Sequence, residues 1–221
     1  MQSGYREFKR FAIIGVLVAW CVSLIAFRVY RTGSGYYVFL VWNLFLAGVP
    51  LLLSTVLRAL IHVRGWRILE ILCFSLWLLF LPNAPYILTD LQHLQSPTTM
   101  PTWYDIAILV SCAGTGLLLG YLSLLDVQDV ISRKFGVACG WLLALSSLVL
   151  TGFALFLGRF LRWNSWDVLV SPGRFLQIAA ALSHPVSHPR AVGVTVVFGI
   201  SLTLGYIAIR LLLTNPETAA K

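Results

Sequence analysis

Asp90 and His93 stand three residues apart in the stretch FLPNAPYILTDLQHL (residues 80–94), where an apolar run ends in an asparagine, two prolines and a tyrosine. Asn83 is placed to cap a helix that holds Pro85 in its first turn, where the missing N–H of proline costs nothing. Continued as an α-helix, the segment puts Tyr86, Asp90 and His93 on one face, at spacings of four and three. Ile87, Leu88, Leu91 and Leu94 supply the opposite, apolar side for a membrane interface. On that face His93 is the group able to take or give a proton near neutral pH, and Asp90, one turn away, can hold its tautomer. No nucleophile accompanies them.

A second polar stretch, GRFLRWNSWD (residues 158–167), follows a long apolar run. On a continuing helix Arg159, Arg162, Trp163 and Trp166 share a face, with Asn164 and Asp167 close by. Snorkelling arginines and interfacial tryptophans account for part of this pattern. The planar guanidinium also suits a carboxylate or phosphate, and the added asparagine, serine and aspartate point to such a binding role. Asn43, in WNLFLAGVP (residues 42–50), lies roughly 10 Å along its helix from Tyr36. There it either joins neighbouring helices or lines the same pocket as the two later stretches.

Other polar residues have structural readings. Thr102-Trp103-Tyr104-Asp105 resembles a capping box, with Asp105 near the positive end of a helix. Arg28 snorkels or pairs, and Glu70 pairs with Arg67 or meets water. His184 and His188 in HPVSHP are flanked by prolines, and two histidines alone are a weak zinc signal, so no metal and no cofactor is expected. The motifs H-E-x-x-H, G-x-S-x-G, G-x-x-x-x-G-K-[ST] and C-x-x-C-H are absent from the sequence.

The elements that must position these groups follow from composition. Of 221 residues 59% are hydrophobic and 11% charged, with a mean hydropathy of +0.86, against about a quarter charged in soluble domains. This is a polytopic membrane protein: a single all-α domain over residues 1–221, built as a transmembrane helical bundle. Six runs approach the roughly 20 apolar residues that cross a bilayer. They are Phe11 to Tyr30, Tyr36 to Leu57, Ile68 to Leu81, Ile106 to Leu125, Val137 to Gly158, and Val192 to Leu213. Short interfacial helices are expected in the two long connections between them, after the third and fifth runs. Cys21, Cys73, Cys112 and Cys139 each sit inside an apolar run and read as small packing residues.

Ten of the 16 Lys and Arg residues fall on the side of the N-terminus, which favours cytoplasmic N- and C-termini in a bacterial inner membrane. Asp90 and Arg162 then lie on the same outer face. The net charge of +8 is spread between apolar runs, so it reads as orientation and contact with anionic membrane lipid, and no nucleic acid is expected as a partner. Gly116/Gly120 and Gly136/Gly140 have small-x-x-x-small spacing, read as close packing within the bundle; a homodimer is left open.

The segments WNLFLA before a proline, LPNAPYILTDLQHL and GRFLRWNSWD resemble the hallmark segments of a bacterial polytopic membrane family catalogued as domain of unknown function 1361. The resemblance runs from about the second span through the sixth. It implies a multi-span membrane fold in bacteria and carries no activity with it.

From the residues, the leading expectation is an outer-facing polar pocket that binds or processes an anionic amphiphile, such as a lipid-linked head group. His93 and Asp90 would be its catalytic pair. Arg159, Arg162, Asn164, Asp167, Asn43, Asn83 and Tyr86 would bind the substrate. The alternatives are a small secondary transporter or proton carrier, whose ionisable groups must be reachable from both sides, and an assembly subunit in which Asp90 and Arg162 form a scaffold ion pair.

Overall fold

Backbone in hydrocarbon has to satisfy its own N–H and C=O groups, and in the computed structural model every regular element among the described residues is helical. The structure describes residues 2–61, 63, 65–95, 100–163, 165–170, 173 and 189–213. In chain order the elements are α1 (Gln2–Thr32), α2 (Phe39–Leu60), α3 (Arg67–Phe80), α4 (Asn83–Tyr86), a 3-10 helix (Ile87–Gln95), α5 (Thr102–Phe135), α6 (Val137–Phe160), α7 (Ser165–Val170) and α8 (Pro189–Leu213).

Six segments are long and apolar enough to cross a membrane: Glu7–Thr32, Phe39–Leu60, Arg67–Leu94, Thr102–Phe135, Val137–Phe160 and Pro189–Leu213. The chain is therefore a multi-pass helical bundle. Large side chains such as Phe45, Leu52, Ile68, Leu142, Val197 and Leu204 stay exposed on its flanks, as expected where lipid replaces water.

The third segment departs most from its expected form. Its first helix, α3, has 14 residues, about 21 Å, which is short of a bilayer core of about 30 Å. Pro82 and Pro85 lack the N–H groups that would continue the ladder. The chain breaks there and resumes as α4 and the 3-10 helix. Asn83 does not cap the new helix, because Pro82 holds the N-cap position and no side chain bonds there. Instead Asn83 Nδ2 donates to the Phe80 carbonyl at 2.9 Å, replacing the Ala84 N–H, which turns to the Leu81 carbonyl at 3.2 Å.

Around this break α5 is the central post: 61% of its most apolar window is buried, against 17% for α1 and for α8, so α5 organises the core. It packs against α1, α2, α4, the 3-10 helix and α6, while α8 leans chiefly on α6. The broken segment lies close against α5 because Gly116 and Gly120 have no side chains. A Cβ on Gly116 would stand 2.7 Å from the Ala84 carbonyl oxygen, and one on Gly120 would stand 2.8 Å from Ala84 Cβ. The small-residue spacing at these two positions thus serves packing within the bundle.

Two arginines of α1 tie it to aspartates at opposite ends of α5. Near one end Arg28 Nε donates to Asp105 Oδ1 at 2.7 Å, both side chains only 3% exposed. The expected capping box does not form, since Pro101 is the N-cap of α5 and no side-chain cap bond is made. At the other end Arg10 donates to both oxygens of Asp126, at 2.9 and 2.7 Å. Arg58 of α2 and Ser54 also donate to that carboxylate, at 3.0 and 3.2 Å. Glu70 pairs with Lys134 of α5 at 2.8 Å, in place of Arg67 or water.

Candidate functional site

The proline break delivers Asp90. In a 3-10 helix, with three residues per turn, positions i and i+3 eclipse, so Ile87, Asp90 and His93 share one face. Tyr86, four residues before Asp90, is turned about 120° away from it. The expected common face of Tyr86, Asp90 and His93 therefore divides. Ile87 and Asp90 are buried, at 0% and 2% exposure, and Leu88 and Leu94 pack on the core, so the segment is held inside the bundle more than on its surface.

Three elements meet at Asp90: its own 3-10 helix, α2 and α6. Asn43 of α2 donates from Nδ2 to Asp90 Oδ2 at 2.8 Å. Arg159, in the last turn of α6, donates from Nη1 to Oδ1 at 3.4 Å. His93 Nε2 stands 3.8 Å from Oδ1, beyond hydrogen-bond reach. Its contacts are Tyr36 Oη with Nδ1 at 3.4 Å and Arg159 Nη2 with Nε2 at 3.5 Å, and the Phe39 ring lies edge-on at 5.2 Å. Asp90 therefore holds Asn43 and Arg159 by hydrogen bonds, and does not fix the tautomer of His93 by a direct one.

The second polar stretch folds differently from a continuing helix. α6 ends at Phe160, and Arg162 takes a left-handed conformation at φ 55, which closes the turn through Trp163 N–H to the Leu157 carbonyl at 3.3 Å. Arg159 stays on α6 and faces Asp90, while the Arg162 side chain is exposed. The two arginines thus part, and Arg159 is the arginine paired with Asp90, where Arg162 was expected. Asp167 is half-buried on α7. Asn164, His184 and His188 lie outside the described residues.

Beside this cluster is a cavity of about 440 Å³ between α2, α3 and α6, floored by α4. Asn43 belongs to both, lining the cavity while bonding Asp90. Asn83 and Tyr86 also line it: Asn83 Nδ2 donates to Ser165 Oγ at 2.9 Å, and Tyr86 Oη to the Gly158 carbonyl at 3.4 Å. A Cβ on Gly158 would lie 2.8 Å from the Tyr86 ring, so the bare glycine seats that tyrosine.

Sequence reasoning missed Tyr36, Ser147 and Thr151, whereas Ser165, the serine of the second polar stretch, does line the cavity. Ser147 and Thr151 line the cavity and stand four residues apart inside an apolar helix, a spacing that places two hydroxyls on one face. It also missed Asp126, which lies just past the expected end of the fourth span.

No curated protein and no solved structure matches the chain. A family model described as "Protein of unknown function (DUF1361)" matches residues 42–204, which include Asn43, Asp90, His93, Arg159 and the cavity walls. The chain belongs to that family.

Proposed function

We propose that the protein binds the anionic head group of a membrane amphiphile at the end of the bundle where Asp90, His93 and Arg159 meet. The observation that carries this reading is the long contact between Arg159 and Asp90. At 3.4 Å it exceeds the 2.7–2.9 Å of a strong charge-assisted pair, whereas Asn43 already holds the other carboxylate oxygen at 2.8 Å. Arg159 is thus positioned but not consumed, and a phosphate or carboxylate competes for its guanidinium. His93, about one-third exposed and next to Arg159, places its imidazole at the rim of the same site. The adjoining cavity, walled by Leu46, Leu79, Leu150 and Leu157 among polar side chains, receives an uncharged part of the molecule.

The basic residues favour an orientation in which this end faces the outside of a bacterial inner membrane. Binding is preferred to catalysis because the acid and the imidazole lack the short hydrogen bond of an oriented proton-transfer pair. The test is mass spectrometry of lipids retained by protein purified in its native membrane and then challenged with phosphatidylglycerol. Wild type should retain the anionic lipid, and Arg159→Gln should lose it. Identical profiles for the two would refute the reading.

A further inference from the structure

The cavity has a chemistry distinct from the charged cluster next to it. Among the described residues that line it none is an acid, a base or a histidine, yet it is far from purely apolar. Ser147 is 1% exposed and lines the cavity, and its Oγ has no hydrogen-bond partner among the described residues. A buried hydroxyl left so is costly unless something in the cavity pairs with it.

The neighbouring groups define what that something is. Asn83 must direct its NH₂ toward the Phe80 carbonyl, which only accepts, and the same NH₂ donates to Ser165 Oγ. The Asn83 amide oxygen is left as an acceptor, and Ser165 keeps its own hydroxyl hydrogen. Tyr86 donates its hydrogen to Gly158 and keeps oxygen lone pairs. The cavity therefore offers acceptors and donors side by side without net charge. The indole side chains of Trp42 and Trp163 complete its lining.

A group that gives and takes hydrogen bonds at several points, is uncharged, and lays C–H faces on aromatic rings is a polyhydroxylated ring. We propose that the cavity seats a glycosyl group of a lipid, next to the anion-binding arginine. The assignment rests on the reading of an amphiphilic ligand and names the neutral portion of its head group. A phosphate alone would leave Asn83 and Tyr86, both acceptors, facing further acceptors. A bare acyl chain would leave Ser147 without a partner.

The test compares monoglucosyldiacylglycerol with diacylglycerol of the same chains, neither of them charged, each offered in phosphatidylcholine nanodiscs holding the full chain. Retention is read by native mass spectrometry for wild type, Ser147→Ala and Leu150→Trp, the last filling the cavity from its exposed rim. Thermal unfolding of each variant checks that it is folded. Wild type should retain the glucosyl lipid at least about tenfold better, equivalent to about 1.4 kcal/mol, and both variants should reduce that preference. Equal retention of the two lipids by wild type, or an undiminished preference in either variant, overturns the proposal and leaves a cavity that holds water. Because neither probe carries charge, this outcome is independent of phosphatidylglycerol retention by Arg159→Gln, so each reading can fail alone.

Discussion

Asn43 and Asp90, 47 residues apart in sequence, are joined by a hydrogen bond of 2.8 Å that fastens the second membrane segment to the break in the third. The carboxylate is 2% exposed, so this amide is its short, well-formed partner inside the protein. Replacing Asn43 by Ala removes a hydrogen bond to a charged group, which costs about 1.5–3 kcal/mol. Equilibrium unfolding in detergent should show that loss, and Asn43→Gln, with a longer amide, should recover part of it. A stability equal to wild type for Asn43→Ala would mean that Arg159 alone holds the carboxylate.

Arg28 and Arg159 both meet aspartates, but only one of the pairs is closed. The Arg28–Asp105 contact is short and almost fully buried, so Arg28→Gln leaves a buried charge without its partner and should cost about 3–5 kcal/mol. The double variant Arg28→Met/Asp105→Leu should recover most of that, because apolar groups of similar volume replace buried pairs well. Arg159→Gln should change stability far less while it alters lipid retention. Thermal melts of the four proteins, wild type included, separate a structural pair from a binding one.

Gly116 sets how closely the Asp90 segment lies against α5. A methyl group there would meet the Ala84 carbonyl oxygen at 2.7 Å and Ile87 Cδ1 at 2.9 Å, and Ile87 shares the face that carries Asp90. Gly116→Ala should therefore cost about 1–3 kcal/mol through overpacking. It should also weaken lipid retention without touching the site. Gly114→Ala, two residues away and with open space around its Cβ position, is the control and should behave as wild type.

Tyr37 carries a buried hydroxyl without a hydrogen-bond partner among the described residues, and its ring lies under the Arg28 guanidinium at 4.5 Å. Burial, with a smaller contribution from the Asp105 charge, pushes its phenol up to about 12 from the ordinary value of 10.0, against the opposing pull of Arg28. The folded protein therefore holds this proton more tightly than the unfolded chain. Its contribution to stability is fully present below pH 10 and is lost as pH rises toward 12. Tyr37→Phe should leave stability at neutral pH unchanged or raised, since no hydrogen bond is lost, and should flatten the decline above pH 10. Urea titrations at stepped pH measure both effects.

Much of the architecture was legible along the chain because hydrocarbon admits so few solutions. Any run of about 20 apolar residues must be a helix, and the expected runs from Phe11, Tyr36, Val137 and Val192 reappear within a few residues as the cores of α1, α2, α6 and α8. The third run was legible as short, and its prolines as a break. What followed the break was not. An α-helical reading of residues 86–93 joins Tyr86 to Asp90, and only the 3-10 geometry shows that they part, Tyr86 to the Gly158 carbonyl and Asp90 to a point between Asn43 of α2 and Arg159 of α6. Local sequence does not distinguish three residues per turn from 3.6 over a segment of nine residues.

The pairing of charges divides in the same way. Residue types alone marked Asn43, Asp90, His93 and the Arg159/Arg162 stretch as polar groups at the rim of an apolar bundle, because such groups are costly there unless they have partners. Which arginine faces Asp90 depended on where α6 stops: the left-handed turn at Arg162 leaves its side chain exposed and Arg159 alone in position. The buried acids of α5 took their partners from α1, 77 and 116 residues away in sequence. Spacing along a chain fixes which side chains share a face of one helix; which faces meet is settled by how the helices pack, and that information exists only in three dimensions.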